Sequence, residues 1–75
     1  MKRERRPQGE DSRGRIYDFI DSFTSEHGFS PTMRDIAKGL DMVPSQVRTH
    51  ILILEEDGEI IREPGRARTI RTVRR

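Results

Sequence analysis

Seventy-five residues, 31% hydrophobic and 37% charged, allow one small domain built around a single thin core. The absence of cysteine excludes a disulfide frame, a thiolate metal site and a cysteine nucleophile. The longest aliphatic run, Ile51-Leu52-Ile53-Leu54, falls far short of the roughly 20 residues that span a bilayer, and no apolar stretch follows the charged N-terminus to make a secretory signal. A soluble, cytoplasmic binding domain is expected, with no cofactor, no metal and no enclosed catalytic pocket.

The formal net charge of +2 conceals a sorting along the chain. Residues 1–6 carry a net +3 and residues 62–75 a net +5, whereas residues 7–61 carry five basic and eleven acidic side chains, a net −6. An acidic body between basic ends suggests arms that meet a polyanion.

Residues 1–11 contain no apolar side chain after Met1, and with Pro7 and Gly9 they are expected to form a disordered basic arm. Ser12 is then a suitable N-cap for a first helix. Its apolar stripe is Ile16, Phe19, Ile20 and Phe23, at the i, i+3, i+4, i+7 spacing of an amphipathic helix. His27 suits the last turn and Gly28 a left-handed stop.

Thr32 followed by Asp35 has the form of a capping box, which predicts a second helix over roughly Met33–Leu40 with Ile36, Ala37 and Leu40 inward. Asp41-Met42-Val43 is a tight turn. Pro44 or Ser45 opens the third helix, with Ser45 suited to a cap. Val47, Ile51 and Leu54 form its inner face, Glu55-Glu56-Asp57 a solvated acidic end, and Gly58 its stop. The period then becomes strand-like: Glu59–Glu63, a Pro64-Gly65 turn, and a return over Arg68–Val73. The expected domain covers residues 12–73, with 74–75 a basic tail.

Two short helices joined by a tight turn make a helix-turn-helix, and the hairpin after them is a wing. The fold class is a small α+β domain, a winged helix-turn-helix of three helices and a two-stranded antiparallel hairpin. Opposite the inner face of the third helix lie Ser45, Gln46, Thr49, Leu52, Ile53 and Glu56, with Arg48 on the flank. Gln46 can pair bidentately with adenine, Arg48 with guanine or a phosphate, and Ser45 or Thr49 with base or phosphate. At the hairpin turn Arg66 and Arg68, with Arg71 behind them, have the composition of a wing that follows phosphates or enters a minor groove. Leu52 and Ile53 are an apolar pair on the outward face; either Leu52 packs against the first helix or the wing, or the pair forms a partner or dimer contact. His50 is expected to pack at the domain's edge.

Four stretches together resemble the N-terminal DNA-binding domain of LexA-type SOS repressors. They are Arg15-Ile16-Tyr17-Asp18-Phe19-Ile20, Gly28-Phe29-Ser30-Pro31-Thr32-Met33-Arg34-Asp35-Ile36, Val47 through Gly58, and Ile60-Ile61-Arg62-Glu63-Pro64 with Arg68-Thr69-Ile70. The resemblance covers about Ser12 to Val73, and its Gly-aromatic-x-Pro-Thr-x-Arg-Asp-Ile segment is the most specific part. It implies a repressor domain that reads an operator half-site with Ser45, Gln46, Arg48 and Thr49. It further implies wing contacts from Arg66 and Arg68, and phosphate contacts from Thr32 and Arg34. Full-length members continue into a self-cleaving domain with a Ser–Lys dyad. These 75 residues hold none of it, so autoproteolysis and dimerisation through that domain are not expected of them. Asp41 stands where the family usually has Gly, and Leu52 and Ile53 where it usually has small or polar residues.

The expected function is sequence-specific binding of double-stranded DNA, as a homodimer on DNA or with a protein partner, and without membrane or small-molecule ligand. The alternative is a winged-helix protein-interaction module with weak or no DNA binding.

Overall fold

The structure, a computed structural model, describes residues 8–73; the basic residues 1–6 and the tail 74–75 lie outside the described residues. Helix α1 spans Gln8–His27, α2 Met33–Leu40 and α3 Pro44–Glu56, followed by strands β1 (Ile60–Ile61) and β2 (Arg71–Thr72). None of these helices is long and apolar enough to cross a membrane.

Helix α1 begins four residues before Ser12, so residues 8–11 of the expected arm are helical and Ser12 is not the cap. Exposed Asp11 lies near the positive end of the helix dipole, where a carboxylate is favourable, and with Ser12 and Arg13 half-buried and Gly14 buried, packing begins one turn ahead of Ile16. Within that stripe Ile16 and Ile20 are fully buried, while Phe19 and Phe23 are partly covered.

Helix α2 has the expected limits and its cap is reciprocal. The Asp35 N–H donates to Thr32 Oγ1 and the Thr32 N–H donates to Asp35 Oδ2, both at 3.0 Å. Asp41 ends the helix in the left-handed region at φ 55°, ψ 49°. A short Asp side chain tolerates that conformation better than most. Helix α3 opens at Pro44, whose fixed φ suits the first helical position. Its N-cap is therefore Val43, without a side-chain cap bond, and Ser45 lies inside the helix rather than capping it.

Ile16, Ile20, Ile36, Val47, Ile51 and Ile60 are fully buried, and Ala37, Leu54 and Ile70 nearly so. Fully burying one such aliphatic side chain is worth about 1.5–3 kcal/mol, so these few residues hold the three helices and the hairpin together. All three helices pack against one another, with β2 on α1 and β1 on α3. Tyr17 Oη donates to the Val73 carbonyl at 3.3 Å, and Thr72 Oγ1 donates to Asp21 Oδ1 at 3.2 Å, fastening the returning strand to α1.

The strands are antiparallel, with Ile60 opposite Thr72 and Ile61 opposite Arg71. They are shorter than the expected Glu59–Glu63 and Arg68–Val73 runs. Between them the backbone finds partners outside the ladder. The Glu63 N–H donates to Thr69 Oγ1 at 2.9 Å, the Arg66 N–H donates to the Glu63 carbonyl at 3.1 Å, and Gly65 and Arg68 turn through positive φ. A side chain that satisfies a backbone group competes with strand pairing.

The acidic end of α3 is not merely solvated. Glu55 Oε1 accepts from Arg62 Nε at 3.1 Å, and both side chains are half-buried or more. Arg62 of the basic C-terminal stretch therefore ties β1 to α3.

Candidate nucleic-acid interface

The turn between α2 and α3 is closed by the backbone. The Met42 N–H donates to the Ala37 carbonyl at 2.9 Å, and Asp41 reverses the chain. Val47, Ile51 and Leu54 then bury one side of α3 completely or nearly so. The helix is thereby fixed in rotation, and its other side is turned out. Ser45, Gln46, Arg48, Thr49 and Leu52 are all exposed, and Ile53 is half-buried. Thr49 Oγ1 donates to the Ser45 carbonyl at 3.0 Å, which leaves the hydroxyl's lone pairs as acceptors facing outward.

Arg34 stands exposed in the first turn of α2, next to Thr32, whose hydroxyl accepts the capping bond from Asp35. Arg34, Arg48 and Arg71 form no ion pair with the described residues. Arg66 approaches Glu63 at 3.4 Å, but both side chains are well exposed. An exposed pair of that kind is worth about 0–1 kcal/mol and leaves the cation available.

Arg68 is different. Its Nη1 donates to the Ser30 carbonyl at 3.1 Å and to Asp35 Oδ2 at 3.3 Å, and its guanidinium lies 5.0 Å from the centroid of Phe29. The side chain expected at the wing tip is turned back onto the body. Asp35 is held below its ordinary carboxylate value, first by the backbone hydrogen bond at the Thr32 cap, with the Arg68 charge contributing. Phe29 also meets Phe23 edge-to-face at 5.7 Å, so an aromatic tract runs from the end of α1 to the wing.

Of the outward apolar pair, Leu52 remains 45% exposed and is not buried by α1 or the hairpin. His50 is half-buried at the domain's edge. Its Nδ1 is buried without a hydrogen-bond partner among the described residues, and burial followed by the nearby Arg13 charge lowers its pKa below the usual 6.5. The roles of Ser30, Phe29 and Asp35 around Arg68 carry no sequence signal, because their partner lies more than 30 residues away.

Three helices with a helix-turn-helix at their centre, followed by an antiparallel hairpin, define a winged helix-turn-helix domain. The crystal structure of the apo-Zalpha of zebrafish PKZ has the same fold. It superimposes with a TM-score of 0.70 at 24% sequence identity, covering 91% of this chain and 100% of that one. The model of the LexA DNA binding domain matches residues 11–69. The LexA repressor of Thermosipho africanus is 42% identical over 60 residues, 80% of this chain and 30% of the relative. That of Koribacter versatilis is also 42% identical over 60 residues, covering 79% and 29%. The chain belongs to the LexA DNA-binding domain family and is a DNA-binding domain of that type. It spans about a third of the length of the curated relatives it matches.

Proposed function

We propose that this domain is the DNA-reading part of a transcriptional repressor, binding double-stranded DNA in a sequence-dependent way in the cytoplasm of a prokaryote. Helix α3 enters the major groove, where Gln46 and Arg48 select bases while Ser45 and Thr49 contact base or backbone. Thr32 and Arg34 meet a phosphate at the start of α2, and Arg66 and Arg71 follow the backbone along the wing. The observation that carries this reading is the sidedness of α3. Its inner face is sealed by Val47, Ile51 and Leu54, while its first two turns present four unburied polar side chains together.

Selection from random duplexes, followed by anisotropy titrations at several salt concentrations, tests it. Gln46→Ala or Arg48→Ala should cost about 1–3 kcal/mol on the selected site and flatten its preference over a scrambled duplex. Arg66→Ala should weaken both duplexes alike and reduce the salt slope by about 1. Equal responses of the selected and scrambled duplexes to all of these changes would remove α3 from the reading.

A second reading rests on Leu52, whose exposure beside the reading face suits a contact with a second copy of the domain on adjacent DNA or with another protein. A lone domain of this size makes few phosphate contacts, so a second copy would raise an otherwise modest affinity.

A further inference from the structure

The wing tip joins the start of α2 through one side chain. Arg68 adopts φ 61°, a left-handed conformation that L-residues other than Gly, Asn and Asp rarely enter, and one that costs roughly 1–2 kcal/mol. That backbone turn directs the guanidinium away from the tip and onto three groups of the body: the Ser30 carbonyl, the Asp35 carboxylate and the face of Phe29. Asp35 uses the same oxygen, Oδ2, to accept from the Thr32 N–H. The capping box of α2 and the anchor of the wing therefore share an atom.

We propose that Arg68 is a positioning residue that acts as a strut. It holds the wing at a fixed distance from the start of α2, so that Arg66 on one and Arg34 on the other meet the DNA backbone together. The inference rests on the DNA-binding reading above and assigns Arg68 and Asp35 a role in it that neither charge alone would suggest. Without the strut, the loop between β1 and β2 keeps its internal bonds through Thr69, but it loses the Arg68 bonds to Ser30 and Asp35. Each binding event must then order the wing anew, and affinity falls because a preorganised contact has become a mobile one.

Asp35→Asn separates this role from simple electrostatics. The amide retains an oxygen for the Thr32 N–H and so preserves the cap, but it loses the charge that pairs with Arg68. Removing a negative charge near a polyanion should raise affinity; loss of the strut should lower it. The prediction is a roughly two- to fivefold weaker affinity for Asp35→Asn, which leaves the Ser30 and Phe29 contacts in place, a loss at least as large for Arg68→Gly, and little loss beyond that of Arg68→Gly in the double variant. Arg68→Gly also relieves the left-handed backbone, so its thermal midpoint should hold or rise while binding weakens. The salt slope should stay unchanged in both single variants. The free protein supplies a readout independent of DNA: backbone amide relaxation and exchange over residues 63–69 should show a more mobile wing in both.

Tighter binding by Asp35→Asn would overturn the proposal. So would a salt slope reduced by about 1 in Arg68→Gly, which would make Arg68 a direct phosphate contact. An unchanged wing in the free variants would overturn it as well. If the unmodified chain binds no duplex, the DNA-binding reading fails by itself, and the wing-mobility measurement still decides whether the strut exists.

Discussion

The edge of the Phe19 ring lies where a Cβ on Gly39 would have to sit. Gly39 is inside α2, where glycine ordinarily costs about 1 kcal/mol relative to alanine. Here the ring of Phe19, on α1, takes the space that a side chain at Gly39 would use. Gly39→Ala is therefore expected to destabilise by about 1–3 kcal/mol rather than stabilise. In a Phe19→Ala background, where the ring is gone, the same change should stabilise by about 0.5–1 kcal/mol. Urea midpoints of the four variants give the cycle, and stabilisation by Gly39→Ala alone would show that the ring swings aside at no cost.

His50 makes stability depend on pH. Its folded pKa lies below the usual 6.5, through burial and then the Arg13 charge, so the unfolded chain binds the extra proton first as pH falls. Stability should be full above about pH 6.5. It should decline on acidification until pH drops below the lowered folded value, where the dependence flattens. Urea titrations from pH 8 to 5, with the His50 ring followed by NMR, check the sign. His50→Gln should remove that part of the decline, and an unaltered slope would assign it elsewhere. Asp35 acts in a lower window: its lowered carboxyl value contributes stability that is lost only as pH falls below about 3.8.

Thr24 lies in α1 with its hydroxyl oxygen buried and without a hydrogen-bond partner among the described residues. A buried unsatisfied polar group costs about 1–3 kcal/mol, and valine has nearly the same shape with no hydroxyl to satisfy. Thr24→Val is expected to raise stability by about 0.5–1.5 kcal/mol, a rise of several degrees in Tm for a domain of this size. A lower Tm would mean that the hydroxyl is satisfied in solution.

Leu52 tests the second reading of function. Leu52→Glu replaces an exposed aliphatic and should leave the fold intact, since surface changes usually stay within about 0.5 kcal/mol. If two copies meet through this side chain on DNA, the stepwise gain in affinity on a two-half-site duplex should disappear while single-site affinity falls little. Sedimentation of the protein–DNA mixture measures the stoichiometry. Identical cooperativity in both proteins would leave Leu52 as an ordinary exposed side chain.

By itself, the sequence determined the features whose causes lie within one helical turn. The limits of α2 follow from Thr32 and Asp35, three residues apart, which cap each other directly. The inner face of α3 follows from the spacing of Val47, Ile51 and Leu54, and that spacing alone leaves Ser45, Gln46, Arg48 and Thr49 facing outward. The left-handed stop at Asp41 is a property of one residue's own backbone and side chain.

The tertiary structure decided what depends on partners far apart in the chain. The start of α1 moved to Gln8, upstream of the apolar stripe, and Gly14 lies buried before that stripe begins. The strands shortened because Thr69 and the turn residues satisfy backbone groups that a ladder would otherwise use. The arginines of the basic C-terminal stretch divided by environment. Arg62 pairs with Glu55 and Arg68 with Asp35, while Arg71 remains exposed without an ion pair to the described residues. A count of charges along the chain sees them as equal. Only folding brings particular carboxylates and an aromatic face within reach, and this separates the arginines engaged by the body from those left to meet an anion.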